Sequence, residues 1–97
     1  MLLINKGITV GEVVTLKIIS GAEIIAKLEE ETDTHYKLSK PMVLNITQQG
    51  MALMPYILSV DPDIKVDMSK PNVCMIAPTE KQFSDSYIQN TTGITLA

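Results

Sequence analysis

The side chains best suited to chemistry are crowded into one short stretch, Asp33 to Lys37. The ring of His35 or Tyr36 could stack on a nucleic-acid base while the Lys37 ammonium group meets a phosphate. The competing interpretation is a polar turn that leads into a strand, with Tyr36 packed into the core. The sequence leaves both interpretations open.

Catalytic and metal chemistry have little support. His35 and Cys74 are the only histidine and the only cysteine, and a catalytic pair also needs an orienting group. Cys74 lies in an apolar segment, where a buried cysteine behaves as a small hydrophobic residue. A structural zinc site needs about four ligands, and the consecutive residues Glu29–Glu31 of a strand alternate in direction and converge poorly on a cation. We therefore expect no enzyme, no metal and no cofactor.

The charge of the chain argues against general nucleic-acid affinity. The net charge is −3, and all eight basic residues are lysines. Arginine is the usual bidentate partner of phosphate and guanine, and an acidic chain neutralises few phosphates. The apolar runs fall short of the roughly 20 residues that span a membrane. With a free cysteine and no export signal, we expect a cytoplasmic protein that makes no membrane contact.

Alternating apolar and polar residues predict the first three strands, at 13–19, 23–31 and 35–46. Gly21 falls in the first turn, where a positive φ is readily adopted. Pro41 interrupts the third strand, and proline cannot donate a ladder hydrogen bond. It therefore predicts a bulge, a bend or an edge position, and bends of this kind let a sheet curl into a small barrel.

The segment 51–60 predicts a fourth strand of a different kind, because it is nearly continuously apolar. Such a strand is expected to be covered on both faces, and Pro55 places it at a sheet edge. An edge strand covered on both faces indicates a partner subunit, although an ordinary core strand is the alternative. The candidate interface residues come from this segment and from the last strand: Met51, Leu53, Met54, Tyr56, Ile57, Leu58, Val73 and Met75.

The C-terminal part is expected to contain a charged loop from Asp61 to Pro71, a fifth strand at 73–77 and a helix. Thr79 and Gln82 form a capping box that predicts this helix at 79–90, followed by a frayed tail.

Together these elements predict one mostly β domain, 1–97, with a five-stranded, strongly bent SH3-like barrel at 11–78 and a C-terminal helix. The tail would cover 91–97. A domain of 97 residues buries a limited core, so we expect oligomerisation to stabilise it.

Several short motifs of the chain resemble the Sm-like family. The stretch 13–44 resembles the first Sm motif in Val14-x-Leu16 with Gly21, in Ala26-Lys27-Leu28, and in Asp33 to Leu38. The chain also resembles short Sm-like proteins of tailed phages that infect marine cyanobacteria. That likeness rests on Gly21-Ala22-Glu23-Ile24-Ile25-Ala26, Gln49-Gly50, Met54-Pro55-Tyr56 and the closing stretch Cys74 to Ser84.

The resemblance implies an Sm-like barrel that assembles into a homo-oligomeric ring of about five to seven subunits. It also implies single-stranded RNA bound in the ring pore, with the candidate residues His35, Tyr36, Lys37, Lys70 and Asn72. The alternative for Lys70 and Asn72 is a solvated loop.

Departures from the family pattern keep a second function open. Lys37 stands where the family has a base-binding Asn, and Lys70-Pro71-Asn72-Val73 lacks the family's Arg-Gly pair. The predicted helix follows the barrel instead of preceding it. The alternative function is a structural or protein-interaction ring, such as a phage accessory protein, that binds no nucleic acid.

Overall fold

Strands and tight turns dominate the chain, which the computed structural model describes over residues 7–92. The elements in order are β1 (Val13–Ile18), β2 (Glu23–Glu31), β3 (His35–Thr47), β4 (Gly50–Pro55), β5 (Val66–Ser69), β6 (Val73–Pro78) and α1 (Lys81–Thr92). A 3₁₀ turn, Lys70–Asn72, joins β5 to β6. The predicted mostly β fold with a C-terminal helix is confirmed.

The strands form one antiparallel sheet in the order β4–β3–β2–β1–β6, and β5 also pairs with β3. β5 pairs with residues 35–38 of β3, and β4 pairs with residues 42–47. Because β2 occupies the other edge of β3, β4 and β5 lie in series along the same edge. The 3₁₀ turn links β5 to β6, which pairs with β1 on the far side, so the sheet bends back on itself.

The irregularity predicted at Pro41 is a β-bulge. The register shift between Ile25 and Lys27 leaves both Lys40 and Pro41 opposite Ala26. Lys40 has a φ of 49°, a left-handed conformation that is uncommon for residues with a side chain. The bulge divides β3 into a first half paired with β5 and a second half paired with β4.

Tyr87 of α1 fastens the helix to this bulge. Its hydroxyl lies 2.8 Å from the Ser39 carbonyl and 3.0 Å from the Lys40 carbonyl, to which it donates. It also accepts from the Lys27 backbone N–H at 3.2 Å. The side chain is 3% exposed. The phenol thus satisfies backbone groups that the bulge removes from the ladder between β2 and β3.

The core has two parts, one on each face of the sheet. The main cluster lies inside the curve of the sheet and is built by Val14, Leu16, Ile18, Ile24, Ala26, Leu28, Tyr36 and Leu38. The second cluster lies under α1 and contains Ile25, Met42 and Tyr87, with Val13, Leu53, Phe83 and Ile88 packed against it. The two sets alternate along β1 and β2, as expected for a sheet covered on both faces.

The strand count and one strand length were wrong. Five strands were predicted, and six are present in the described residues. The predicted strand 51–60 ends at Pro55, and the predicted loop 61–71 contains β5. β5 was missed because its alternating residues, Val66 to Ser69, are surrounded by charges and prolines that are typical of a loop.

The ends of the helix also differ from the prediction. α1 covers Lys81–Thr92, so Thr91 and Thr92 belong to the helix and only 93–97 of the predicted tail lie outside the described residues. The helix begins at Lys81, so Glu80 and not Thr79 directly precedes it, and the Thr79 hydroxyl is hydrogen-bonded to the Thr15 hydroxyl at 2.8 Å.

Cys74 is exposed, whereas its apolar neighbours indicated burial. It is the residue left over where the register between β1 and β6 shifts at Lys17 and Ile18. An extra residue in a bulge loses its regular place on either face of the sheet.

Candidate functional site

The five predicted nucleic-acid residues lie near one another at one end of the sheet. His35 and Lys37 belong to the first half of β3, where they pair with Ser69 and Asp67 of β5. The Lys70 backbone N–H donates to the Thr34 carbonyl at 2.9 Å, which fixes the 3₁₀ turn beside this ladder. The structure therefore brings residues from distant parts of the chain to one end of the sheet, but His35 and Lys37 point to the face opposite to that of Tyr36, because side chains alternate along a strand.

Tyr36 is a core residue with little free surface. Its side chain is 8% exposed, and it belongs to the main cluster. The Lys70 ammonium nitrogen lies 5.1 Å from the centre of the ring, within cation–π range. The position of Tyr36 thus agrees with the alternative interpretation from the sequence, in which this side chain packs into the core. A base could stack on this ring only if the Lys70 side chain moved.

Lys70 is already paired with a carboxylate of the same chain. Its ammonium group donates to Glu31 Oε2 at 2.6 Å. This hydrogen bond raises the pKa of Lys70, although burial acts in the opposite direction. A phosphate that approached Lys70 would have to compete with Glu31.

The other candidate side chains are also engaged within the chain. Lys37 forms an ion pair with Asp67 at 3.2 Å. The Asn72 side-chain amide donates to the Met68 sulfur at 3.2 Å. His35 Nδ1 lies 2.7 Å from the Thr34 hydroxyl. Each polar group therefore has a local partner, and the two lysines are balanced by acidic side chains.

The candidate interface residues of the fourth strand lie along and beyond β4. β4 is an outer strand, because its one partner in the sheet is β3. Met51 and Met54 are each 52% exposed, whereas Leu53 packs against the second cluster under α1. We predicted that both faces of this strand would be covered. Within a single chain, one face of β4 is mostly exposed.

Three candidate interface residues lie outside the strand. Tyr56 is exposed and closes the ladder, since its backbone N–H donates to the Pro41 carbonyl at 3.0 Å. Ile57 and Leu58 follow in a segment without strand structure, and Leu58 is 85% exposed. They extend the apolar surface at the end of β4 and cannot take part in its backbone ladder.

The two candidate residues of the last strand lie on the opposite outer strand, β6. Its one partner in the sheet is β1. Val73 is half-buried and packs against the main cluster, whereas Met75 is 68% exposed. β4 and β6 are thus the two outer strands of the main path of the sheet.

The composition of the outer strands distinguishes them. β4 reads GMALMP and β6 reads VCMIAP, with no charged residue in either. β5, which also has one partner in the sheet, carries Asp67. Proteins usually protect open edges with charges, because the unpaired backbone groups otherwise attract another strand. The absence of charge from these two strands can be seen in the sequence. The prediction of strands from apolar and polar patterns did not use it.

Over residues 7–92 there is no group of three or more His, Cys, Asp or Glu side chains placed to hold a metal ion. The one helix in that range is too short and too polar to cross a membrane.

Comparisons with protein-family models and with curated proteins found no match for this chain.

Proposed function

We propose that the chain is a ring-forming assembly module of the Sm-like kind, in which β4 of one copy pairs with β6 of the next. The observation that carries this proposal is the pair of open strand edges without a single charge. Each edge has backbone groups without a partner in the sheet and exposed apolar side chains next to them. A second copy would supply both hydrogen bonds and apolar contacts.

The proposed Sm-like barrel is supported by the path of the chain. β1, β2 and β3 follow one another as neighbours, and β3 bends at the Lys40–Pro41 bulge. β4 and β5 lie in series on one edge of β3, like a single strand interrupted by residues 56–65. Counted in this way the sheet has five strand positions. The 3₁₀ turn of three residues then brings the two sides of the sheet together.

A ring follows from the difference between the two edges. A contact between β4 and β6 joins two unlike surfaces, so an open assembly keeps one free β4 edge at one end and one free β6 edge at the other until it closes. By analogy with cyclic Sm-like assemblies, we expect closure at about five to seven subunits.

The second candidate function is binding of single-stranded RNA in the pore of this ring. It is favoured by the position of all five candidate residues near one end of the sheet: His35, Tyr36, Lys37, Lys70 and Asn72. The ion pairs of Lys37 and Lys70 oppose it, because a phosphate gains little from a lysine that already has a carboxylate partner. We therefore favour a ring that contacts proteins and performs no catalysis.

The assembly is tested by measuring molar mass in solution by light scattering and native mass spectrometry. We expect a single species with several times the monomer mass of 10.7 kDa. Met75→Lys should lower this mass, because it places a charge on the β6 edge at an exposed position. Val10→Lys is the matched control, since Val10 is 58% exposed and precedes β1. A monomeric unmodified chain would remove the basis of the proposal.

The RNA candidate is tested by fluorescence titration with single-stranded oligo-U and oligo-A at two salt concentrations. Binding that weakens with salt would indicate phosphate contacts. If no binding appears at micromolar protein and low salt, this second function should be dropped, and the ring would still stand.

A further inference from the structure

The backbone groups that β4 leaves open can be assigned from one hydrogen bond. The Tyr56 N–H donates to the Pro41 carbonyl, which makes these residues a hydrogen-bonded pair. In an antiparallel ladder such pairs alternate with pairs whose N–H and C=O groups point away. The register between β3 and β4 therefore directs the backbone groups of Met51 and Leu53 outward. Pro55 also points outward, where its missing N–H leaves no gap in the ladder.

The same reasoning applies to β6. The Thr79 N–H donates to the Val13 carbonyl at 3.1 Å. With the register between β1 and β6, alternation directs the backbone groups of Ile76 and Pro78 outward. Each edge therefore offers a donor-bearing apolar residue in the middle and a proline at its C-terminal end.

We infer that the two edges pair antiparallel in one register, with Leu53 of one copy opposite Ile76 of the next and Met54 opposite Met75. The inference rests on the proposed assembly of β4 with β6. Leu53 and Ile76 then exchange both of their N–H···O=C bonds, and the Met51 N–H donates to the Pro78 carbonyl. Antiparallel pairing is the more frequent arrangement in sheets and slightly the more stable.

The side chains support this register independently of the backbone. Met54 and Met75 are 52% and 68% exposed, and they become a directly opposite pair on one face. Unbranched methionines adapt to each other and to irregular gaps. On the other face Leu53, which packs under α1, meets Ile76, which packs on the main cluster of the next copy. The pairing thus joins the α1 face of one copy to the main-cluster face of the next through an apolar contact.

Neighbouring registers are less complementary. A shift of two residues in one direction places Leu53 opposite Pro78, which cannot return its hydrogen bond. A shift in the other direction places Leu53 opposite Cys74, which lies where the register with β1 is irregular. It also separates Met54 from Met75.

The register is tested by disulfide trapping in a Cys74→Ser background, which removes the only native cysteine. Met54→Cys and Met75→Cys are combined in one chain and oxidised with oxidised glutathione, which accepts the electrons. Opposite residues in a non-hydrogen-bonded pair have Cα atoms about 4.5 Å apart, within the range for disulfides. We expect most of the monomer band to be converted to covalent oligomers on a non-reducing gel. The matched control is Met51→Cys with Met75→Cys, because Met51 points to the opposite face.

A second pair protects the test against a variant that folds poorly. Ala52→Cys with Ala77→Cys lies in the same register, and both positions are exposed. Cross-linking of both designed pairs without the control pair supports the register. Cross-linking of the control pair alone, or of neither pair in a chain that keeps its oligomeric mass, would overturn the register and leave the assembly proposal standing. A monomeric mass without cross-links would overturn both.

Discussion

The two halves of β3 differ in whether the residues and strands around them find all their partners within the same chain. The first half, residues 35–38, pairs with β5, and its charged groups find partners nearby: Lys37 with Asp67, and the adjacent Lys70 with Glu31. The second half, residues 42–47, pairs with a strand that has no charge and an open edge. The polar residues of the first half are thus paired within the chain, whereas the apolar strand beside the second half has an edge without a partner strand.

The bulge at Lys40 and Pro41 separates the half of β3 with paired polar groups from the half beside the open strand edge. It lets a single edge of β3 serve two strands, and Tyr87 restores hydrogen bonds that the bulge removes. The difference between the halves therefore depends on a local irregularity that a helix from the end of the chain stabilises.

The largest expected effect is the loss of assembly when a charge is placed on β4, the strand that pairs with the second half of β3. Met54→Lys should reduce the assembly to monomers of about 10.7 kDa, because a desolvated lysine at a strand contact is strongly unfavourable. Ser69→Lys puts the same charge on exposed β5 and should leave the mass unchanged. Native mass spectrometry of both variants checks the comparison. Equal loss of mass in both would mean that the two halves do not differ as open surfaces.

The next effect concerns the bulge that separates the halves. Tyr87→Phe removes the hydroxyl that serves Lys27, Ser39 and Lys40. Leaving buried backbone groups without a partner should lower the free energy of unfolding by about 1–3 kcal/mol. Urea denaturation measures the change. Tyr56→Phe is the control, because that side chain is exposed, and its effect should stay within about 0.5 kcal/mol. Equal effects would mean that the hydroxyl contacts contribute nothing specific.

Alkaline pH should weaken the same contact in a defined window. Burial raises the pKa of Tyr87 to about 12 from the ordinary tyrosine value of 10.0, because it disfavours the charged phenolate. The folded state therefore holds its proton more tightly than the unfolded state. The stabilisation is complete below pH 10 and is lost as the pH rises through 12. The stability difference between the unmodified chain and Tyr87→Phe should shrink over this range. A constant difference would contradict the burial of the phenol.

Much of this comparison could be predicted from the sequence, and the missing part has a physical cause. Pro41 indicated the irregularity in β3, and the unbroken apolar run with Pro55 indicated an edge strand. The ion pair of Glu31 with Lys70 was not predictable, because it depends on β5, which local charges concealed. Alternation describes single strands well, but it does not show which distant charges a bent sheet brings together.

The smallest expected effect concerns the first half of β3. Glu31→Gln removes the carboxylate that holds Lys70. Because exposed ion pairs contribute little to stability, the free energy of unfolding should stay almost unchanged. Because Lys70 becomes available to phosphate, oligo-U affinity at low salt should rise by about two- to five-fold. Glu30→Gln changes the net charge equally at an exposed neighbour. If the two variants gain affinity equally, charge alone is responsible, and the first half of β3 is not a site held closed by Glu31.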